Sequence, residues 1–223
     1  VLAIRCELCG APTAATDTLL CEHCAGDLPH VGTACVRCAM PLTTPGVCGR
    51  CMRADAPISR TIATCEYRFP IDTLVRRLKF RGQIHLARTA AALLAGAVTR
   101  QPPLQIDWLL PMPLHPRRLR DRGFNQALEI ARYLERHLGI PIASRCCRRA
   151  RDTAPQTQLS ERARQTNMRG AFVLARPPPA SSIAIVDDVV TTGASARELA
   201  RTLLSGGAVR IELWVLARAN LST

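Results

Sequence analysis

The chain has 223 residues, 48% of them apolar and only eight aromatic, so it is globular rather than disordered and must build its core mostly from Leu, Ile, Val and Ala. Its 30 basic residues against 17 acidic ones give a formal charge of +13, and every base but one is arginine, which suits phosphate recognition without naming a partner. Residues 1–60 hold five Arg and five acids, whereas 61–223 hold 25 bases and 12 acids, so any anion is expected at the longer second part.

Eight of the eleven cysteines fall in four C-x-x-C pairs: Cys6 and Cys9, Cys21 and Cys24, Cys35 and Cys38, Cys48 and Cys51. Two intervening residues let one tight turn aim both sulfurs at a single ion, and two such turns complete the tetrahedral thiolate shell of structural zinc. Two zinc ribbons in series are expected, Cys6/Cys9/Cys21/Cys24 and Cys35/Cys38/Cys48/Cys51; a cross-braced arrangement would use the same eight ligands. Closed four-thiolate sites leave no position for catalysis, and each contributes about 10 kcal/mol or more of apparent folding free energy. A stretch this short and poor in large apolar side chains needs that. Redox C-x-x-C sites usually stand singly in an α/β setting, so four in a row argue for metal instead. His23 and His30 are expected at the surface, and Cys65, Cys146 and Cys147, which lack metal spacing, in the core. Thiol usage and the lack of a signal-peptide stretch point to a reduced, cytoplasmic protein. The longest apolar run, Thr89 to Thr99, is about half as long as a membrane span requires.

After Ala54–Pro57 the pattern changes. Thr61 to Phe69 reads as a strand, and Ile71, Leu74, Val75 and Leu78 recur at helical spacing before Gly82. Ile84 to Val98 reads as a helix, Ile106 to Leu110 as a strand, Phe124 to Leu138 as a helix and Ala143 to Arg148 as a strand. A polar, Arg-rich stretch runs from Arg149 to Arg169. Strands at Ala171–Leu174, Ile183–Val186 and Arg210–Leu216 follow, with a helix from Ser195 to Ser205 between the last two. Short apolar strands alternating with helices predict a mostly parallel sheet covered on both faces.

The most informative segment is Ser182 to Ser195, where an apolar strand runs into Asp187 and Asp188 and then a Thr-Thr-Gly turn that opens a helix. Ligands of open α/β sheets bind at the carboxyl ends of strands, which places both acids at such a site. Thr191 to Ser195 would present N–H groups and hydroxyls at a helix N-terminus, a cradle for phosphate. Acids beside a phosphate cradle suit a sugar phosphate, whose vicinal hydroxyls donate to the carboxylates.

Asp187 to Ser195 resembles the phosphoribosyl-pyrophosphate (PRPP) signature of type I phosphoribosyltransferases, with Ser195 where Thr is commoner. The resemblance implies that Asp187 and Asp188 bind the ribose hydroxyls and that Thr191, Thr192, Gly193 and Ser195 bind the 5′-phosphate. Leu78-Lys-Phe-Arg-Gly82, Leu110 to His115, Arg117 to Gln126, Gln156 to Leu159, Arg162, Asn167 and Gly170-Ala-Phe172, with the cysteine-rich front, are similar to the competence protein ComF family. The Arg-Gly-Phe-Asn-Gln string is the most specific part. The implied fold is α/β: a type I phosphoribosyltransferase-like parallel sheet flanked by helices (58–223), preceded by a small double zinc-ribbon module (1–57).

In type I enzymes the loop after the first sheet strand binds pyrophosphate, which makes His115, Arg117, Arg118 and Arg122 candidates for that charge. Asn125 and Gln126 either reach the ligand or cap the following helix. Arg149 to Arg169 matches the hood loop that closes over PRPP; its arginines Arg149, Arg151, Arg162, Arg164 and Arg169, with Arg148, could instead follow a nucleic-acid backbone, although little aromatic interleaving is visible. The resemblance implies an accessory protein of DNA uptake that binds single-stranded DNA and PRPP with Mg²⁺, with a helicase-like ATPase as partner. An active phosphoribosyltransferase with an unknown acceptor is the alternative, and a mere PRPP sensor a third reading. No general base is evident, so no catalytic residue is named.

Overall fold

The computed structural model describes residues 4–14, 17–53, 56–102, 105–152, 169–176 and 181–220. Its centre is a four-stranded, all-parallel sheet of β1 (Arg60–Glu66), β2 (Trp108–Pro111), β5 (Ser182–Val190) and β6 (Arg210–Arg218), in the order β1-β6-β5-β2. Helices α3 (Ile71–Phe80), α4 (Leu86–Thr99) and α6 (Gln126–Leu138) lie on one face and α7 (Ala194–Ser205) on the other. Strand alternation produces the two cores. Ala184, Val186, Trp214 and Leu216 join the α3/α4/α6 side, whereas Ile183, Ile185, Leu213 and Val215 join the α7 side. Both faces are covered, which is why β6 is buried almost throughout and why these strands read as continuous apolar runs.

The expected strand at Ala143–Arg148 touches this sheet only at its start, where Ala143 N–H donates to the Leu109 carbonyl of β2 at 2.8 Å, and then leaves it. It forms β3 (Cys147–Arg149), antiparallel to β4 (Phe172–Leu174), as a separate ribbon. Short helices α1 (Glu22–Gly26) and α2 (Gly49–Arg53) belong to the front segment, and α5 (Pro116–Arg122) follows β2. Pro116 starts α5 where its missing N–H is not needed, and Gly123 ends it in the left-handed conformation at φ 82°.

The cysteine-rich front is docked on the sheet. Strand β1 would be an exposed edge, and residues 29–37 cover it: Thr61 N–H donates to the Val36 carbonyl at 2.8 Å, Val31 N–H to Thr64 at 3.1 Å and Glu66 N–H to Pro29 at 2.7 Å. The Thr61 hydroxyl donates to the Arg37 carbonyl at 2.7 Å. Leu20 and Leu28 enter the same core as α3 and α4. Arg77 of α3 pairs with Glu7 at 2.6 Å, and Thr89 of α4 donates to the Thr18 carbonyl at 2.6 Å. Cys65 and Cys147 are buried, Cys146 is half-buried, and His23 and His30 are exposed, as expected. Among the described residues no helix is long and apolar enough to cross a membrane.

Candidate functional site

The eight paired cysteines gather into two groups, Cys6/Cys9/Cys21/Cys24 and Cys35/Cys38/Cys48/Cys51, with the sulfurs of each group within 4.8 Å of one another. The grouping is sequential, not cross-braced. The Cys9–Cys21 and Cys38–Cys48 sulfurs are both 3.7 Å apart. Tetrahedral zinc with bonds of about 2.3 Å sets sulfurs roughly 3.8 Å apart, so both groups fit the ion. Burial disfavours the Cys6 thiolate, but N–H groups of Cys9, Cys21 and Leu8 outweigh it and bring the pKa to about 6. Burial likewise opposes Cys35, while N–H groups of Cys48, Cys38 and Arg37 bring it to about 7. The two turns repeat each other: Gly10 follows Cys9 at φ 74° and Ala39 follows Cys38 at φ 55°. Bound zinc would be structural, holding each knuckle pair closed.

At the carboxyl end of the sheet, β5 continues past Val186 through both acids, still paired to β6 as far as Val190. Successive residues face opposite sides, so Asp188 turns toward α3 and Asp187 toward β3. Asp188 is 2% exposed and is ion-paired with Lys79, the one lysine in the chain. Asp187 is half-buried, and its Oδ1 accepts the Asp188 N–H at 2.9 Å. Loss of solvent and the adjoining Asp188 charge push the Asp187 carboxyl well above the usual range, with Lys79 opposing them. Burial lowers the pKa of the nearby Arg122, against the pull of Asp188.

The Thr191–Ser195 turn is held from behind. The buried Arg218 guanidinium donates to the carbonyls of Val190, at 3.1 Å, and of Thr191. Arg197 donates to Thr192 at 2.8 Å, and the Thr192 hydroxyl accepts the Ala194 N–H at 3.3 Å. Gly193 sits at φ 73°, a backbone conformation that favours glycine, and a Cβ there would press on the Arg197 guanidinium at 3.1 Å. With the carbonyls engaged by guanidinium groups, the free pole of the turn is the N-terminus of α7, where N–H groups favour an anion. Thr191 is exposed, Ser195 half-buried.

His115, Arg117 and Arg118 converge on Asp152, each with a nitrogen 3.7 or 3.8 Å from its carboxylate. His115 also caps α5, its Nδ1 accepting the Arg117 N–H at 3.3 Å. A cluster of basic side chains is therefore present, and it faces the protein's own acid. Asn125 is a helix cap: its Oδ1 accepts from Ala127 at 3.0 Å and Leu128 at 3.4 Å, and its amide donates to the Met112 carbonyl at 3.1 Å. Gln126 is buried and accepts from Arg122. Arg149 is buried over Phe172, which removes it from any backbone-following row, whereas Arg148 and Arg151 are exposed. Gln156 to Leu159, Arg162, Arg164 and Asn167 lie outside the described residues.

Sequence reasoning missed Lys79, Asp152, Arg197 and Arg218. Lys79 alone carried a signal, as the single lysine among 30 bases. The partners of the others come from distant segments.

Residues 1–52 match the family model of the double zinc ribbon domain. The DNA utilization protein YhgH of Salmonella typhimurium is 36% identical over 218 residues, 96% of each chain. Competence protein F of Haemophilus influenzae is 32% identical, covering 89% of this chain and 84% of that one. Competence protein ComFC of Bacillus subtilis is 26% identical, covering 91% of this chain and 85% of its own. With the paired cysteines, the double acid of β5 and nearly full-length identity on the page together, the chain belongs to the ComF family of competence and DNA utilization proteins.

Proposed function

We propose that this chain is an accessory protein of DNA uptake and utilization that binds PRPP at the carboxyl end of β5 and single-stranded DNA on its basic surface. The observation that carries the reading is the junction of β5 and α7. Two carboxylates sit beside a turn whose carbonyls are tied back by Arg218 and Arg197, so acceptors for sugar hydroxyls adjoin donors for a phosphate. Asp187 and Asp188 would take the ribose hydroxyls, and Thr191, Thr192, Gly193 and Ser195 the 5′-phosphate. His115, Arg117 and Arg118 suit the pyrophosphate, which would displace Asp152 from them. Mg²⁺ is a hard cation that binds with phosphate oxygens and one or two carboxylates, and Asp187 is a donor of that class at the site. The names of the relatives supply the DNA role.

Calorimetric titration of PRPP with Mg²⁺ into the wild type and the Asp187→Asn/Asp188→Asn variant tests the site. Asparagine keeps the size but replaces acceptor oxygens with donors, and each charge-assisted hydrogen bond is worth roughly 1.5–3 kcal/mol. The variant is expected to bind PRPP about a hundredfold more weakly while retaining its DNA affinity. Equal PRPP affinities would remove the acids from the site.

A further inference from the structure

Beside Lys79 opens a cavity of about 470 Å³, lined by Lys79, Phe80, Arg118, Arg122 and Phe124, with Asp121 as its one acid. Phe80 ends α3 and is 74% exposed. The helix already has its buried face in Ile71, Leu74, Val75 and Leu78, so Phe80 is no part of the core. One feature of its surroundings orders the ring: the Arg122 guanidinium lies 5.7 Å from the centroid. PRPP offers phosphates and hydroxyls, to which an aromatic face contributes nothing. A cavity with three cations, one acid and an open phenyl ring suits a ligand that is both anionic and planar.

We infer that the Phe80 cavity seats an unpaired base of single-stranded DNA, stacked on Phe80, with its phosphate against Arg122. The inference rests on the DNA reading above and locates it. Bases of a duplex are stacked on one another and offer no free face, whereas every unpaired base has one, so binding of this kind is tolerant of sequence. Extension beyond a single nucleotide fits the surroundings: Arg81, next to Phe80, is exposed, and its side chain has no ion pair or hydrogen bond among the described residues, so it stays available to a further phosphate. A base in this cavity would lie next to the Lys79–Asp188 pair, which brings the strand to the PRPP site.

Fluorescence titration of an oligothymidylate and of an abasic oligomer of equal length, at fixed salt and Mg²⁺, separates stacking from charge. The wild type is expected to prefer the thymidylate about tenfold, as one stacked base would give. Phe80→Ala should abolish that preference and leave the abasic affinity unchanged, and Phe80→Tyr should restore it. The unfolding midpoints of the variants should match the wild type, because the side chain is exposed. A preference that survives in Phe80→Ala overturns the inference while leaving DNA binding intact; a wild type that binds neither oligomer overturns both. Competition by dTMP at oligomer concentrations would reject a strand as the occupant.

Discussion

Replacing Lys79 with Met isolates the electrostatics of the double acid. Asp188 is 2% exposed, and Lys79, whose side chain is 20% exposed, is its ion-pair partner; Asp187 stands beside both. Removing one member of a buried pair strands the other charge and costs roughly 3–5 kcal/mol; the partial exposure of Lys79 lowers that to about 2–3 kcal/mol. The loss should depend on pH. Asp187 already has a folded-state pKa above its unfolded value, so its proton stabilises the native state fully below the unfolded value and less as pH rises through the folded one. Lys79 opposes that shift, so Lys79→Met raises the folded pKa further. The variant is therefore least stable relative to wild type at the alkaline end and gains on it as pH falls. Urea unfolding of both proteins at a series of pH values, from above the ordinary carboxylate range to the alkaline end and zinc-saturated throughout, reads the difference at each pH. Adding Asp188→Asn to Lys79→Met should recover most of the loss, since the stranded charge is gone. A pH-independent deficit, or a double variant no more stable than the single, would refute the argument.

Metal analysis should find two zinc ions per chain, and one ion or none in protein with all eight cysteines reduced would contradict the sulfur geometry. Cys48→Ser should weaken PRPP binding more than Cys21→Ser does, because the second cluster adjoins the phosphate turn and the first does not; calorimetry on folded variants reads this. DNA affinity should fall steeply with salt, and Arg148→Glu/Arg151→Glu should reduce the slope of log K against log salt by about 1.4 if each arginine meets one phosphate of a single strand. An unchanged slope would take both out of the interface.

Much of this was legible because local chemistry and global fold agree. Cysteine spacing alone identified the eight ligands in their four pairs, since a C-x-x-C turn leaves the sulfurs little freedom, but which pairs share an ion is decided by the fold. The strands were visible as apolar runs, because a parallel sheet is buried on both faces. Their ends were less so: β5 was expected to stop at Val186, where the apolar run meets carboxylates, but backbone pairing with β6 carries it to Val190. Helix α5 was invisible to periodicity because it buries no residue; it is set by the His115 cap, Pro116 and Gly123. The sequence favours ligand contact over capping for Asn125 and Gln126, but Asn125 caps. The Lys79–Asp188 pair and the Arg218 clamp join segments far apart in sequence, and no local pattern encodes such contacts.

Arg218 also gives the front module a role beyond covering a sheet edge. The space between the second cysteine cluster and the phosphate turn is lined by Arg37, Cys38, Cys51, Gly193, Arg197 and Arg218. Burial lowers the Arg218 pKa, and the Cys38 sulfur opposes that loss. Four thiolates around one zinc ion form a doubly negative unit, so with zinc bound the cluster would supply a counter-charge that offsets the cost of burying the guanidinium. Arg37, bonded to the Cys51 carbonyl at 3.0 Å, ties the knuckle itself to this layer. The order of charges therefore runs from thiolate to guanidinium to the carbonyls of Val190 and Thr191, and the N–H end of the turn is left for the anion. Among the described residues the first cluster has no such connection; Glu7, inside its first knuckle, is paired to Arg77 and His85. Two zinc sites with one ligand set thus do different work, one anchoring the module to α3 and the other fixing the polarity of the turn.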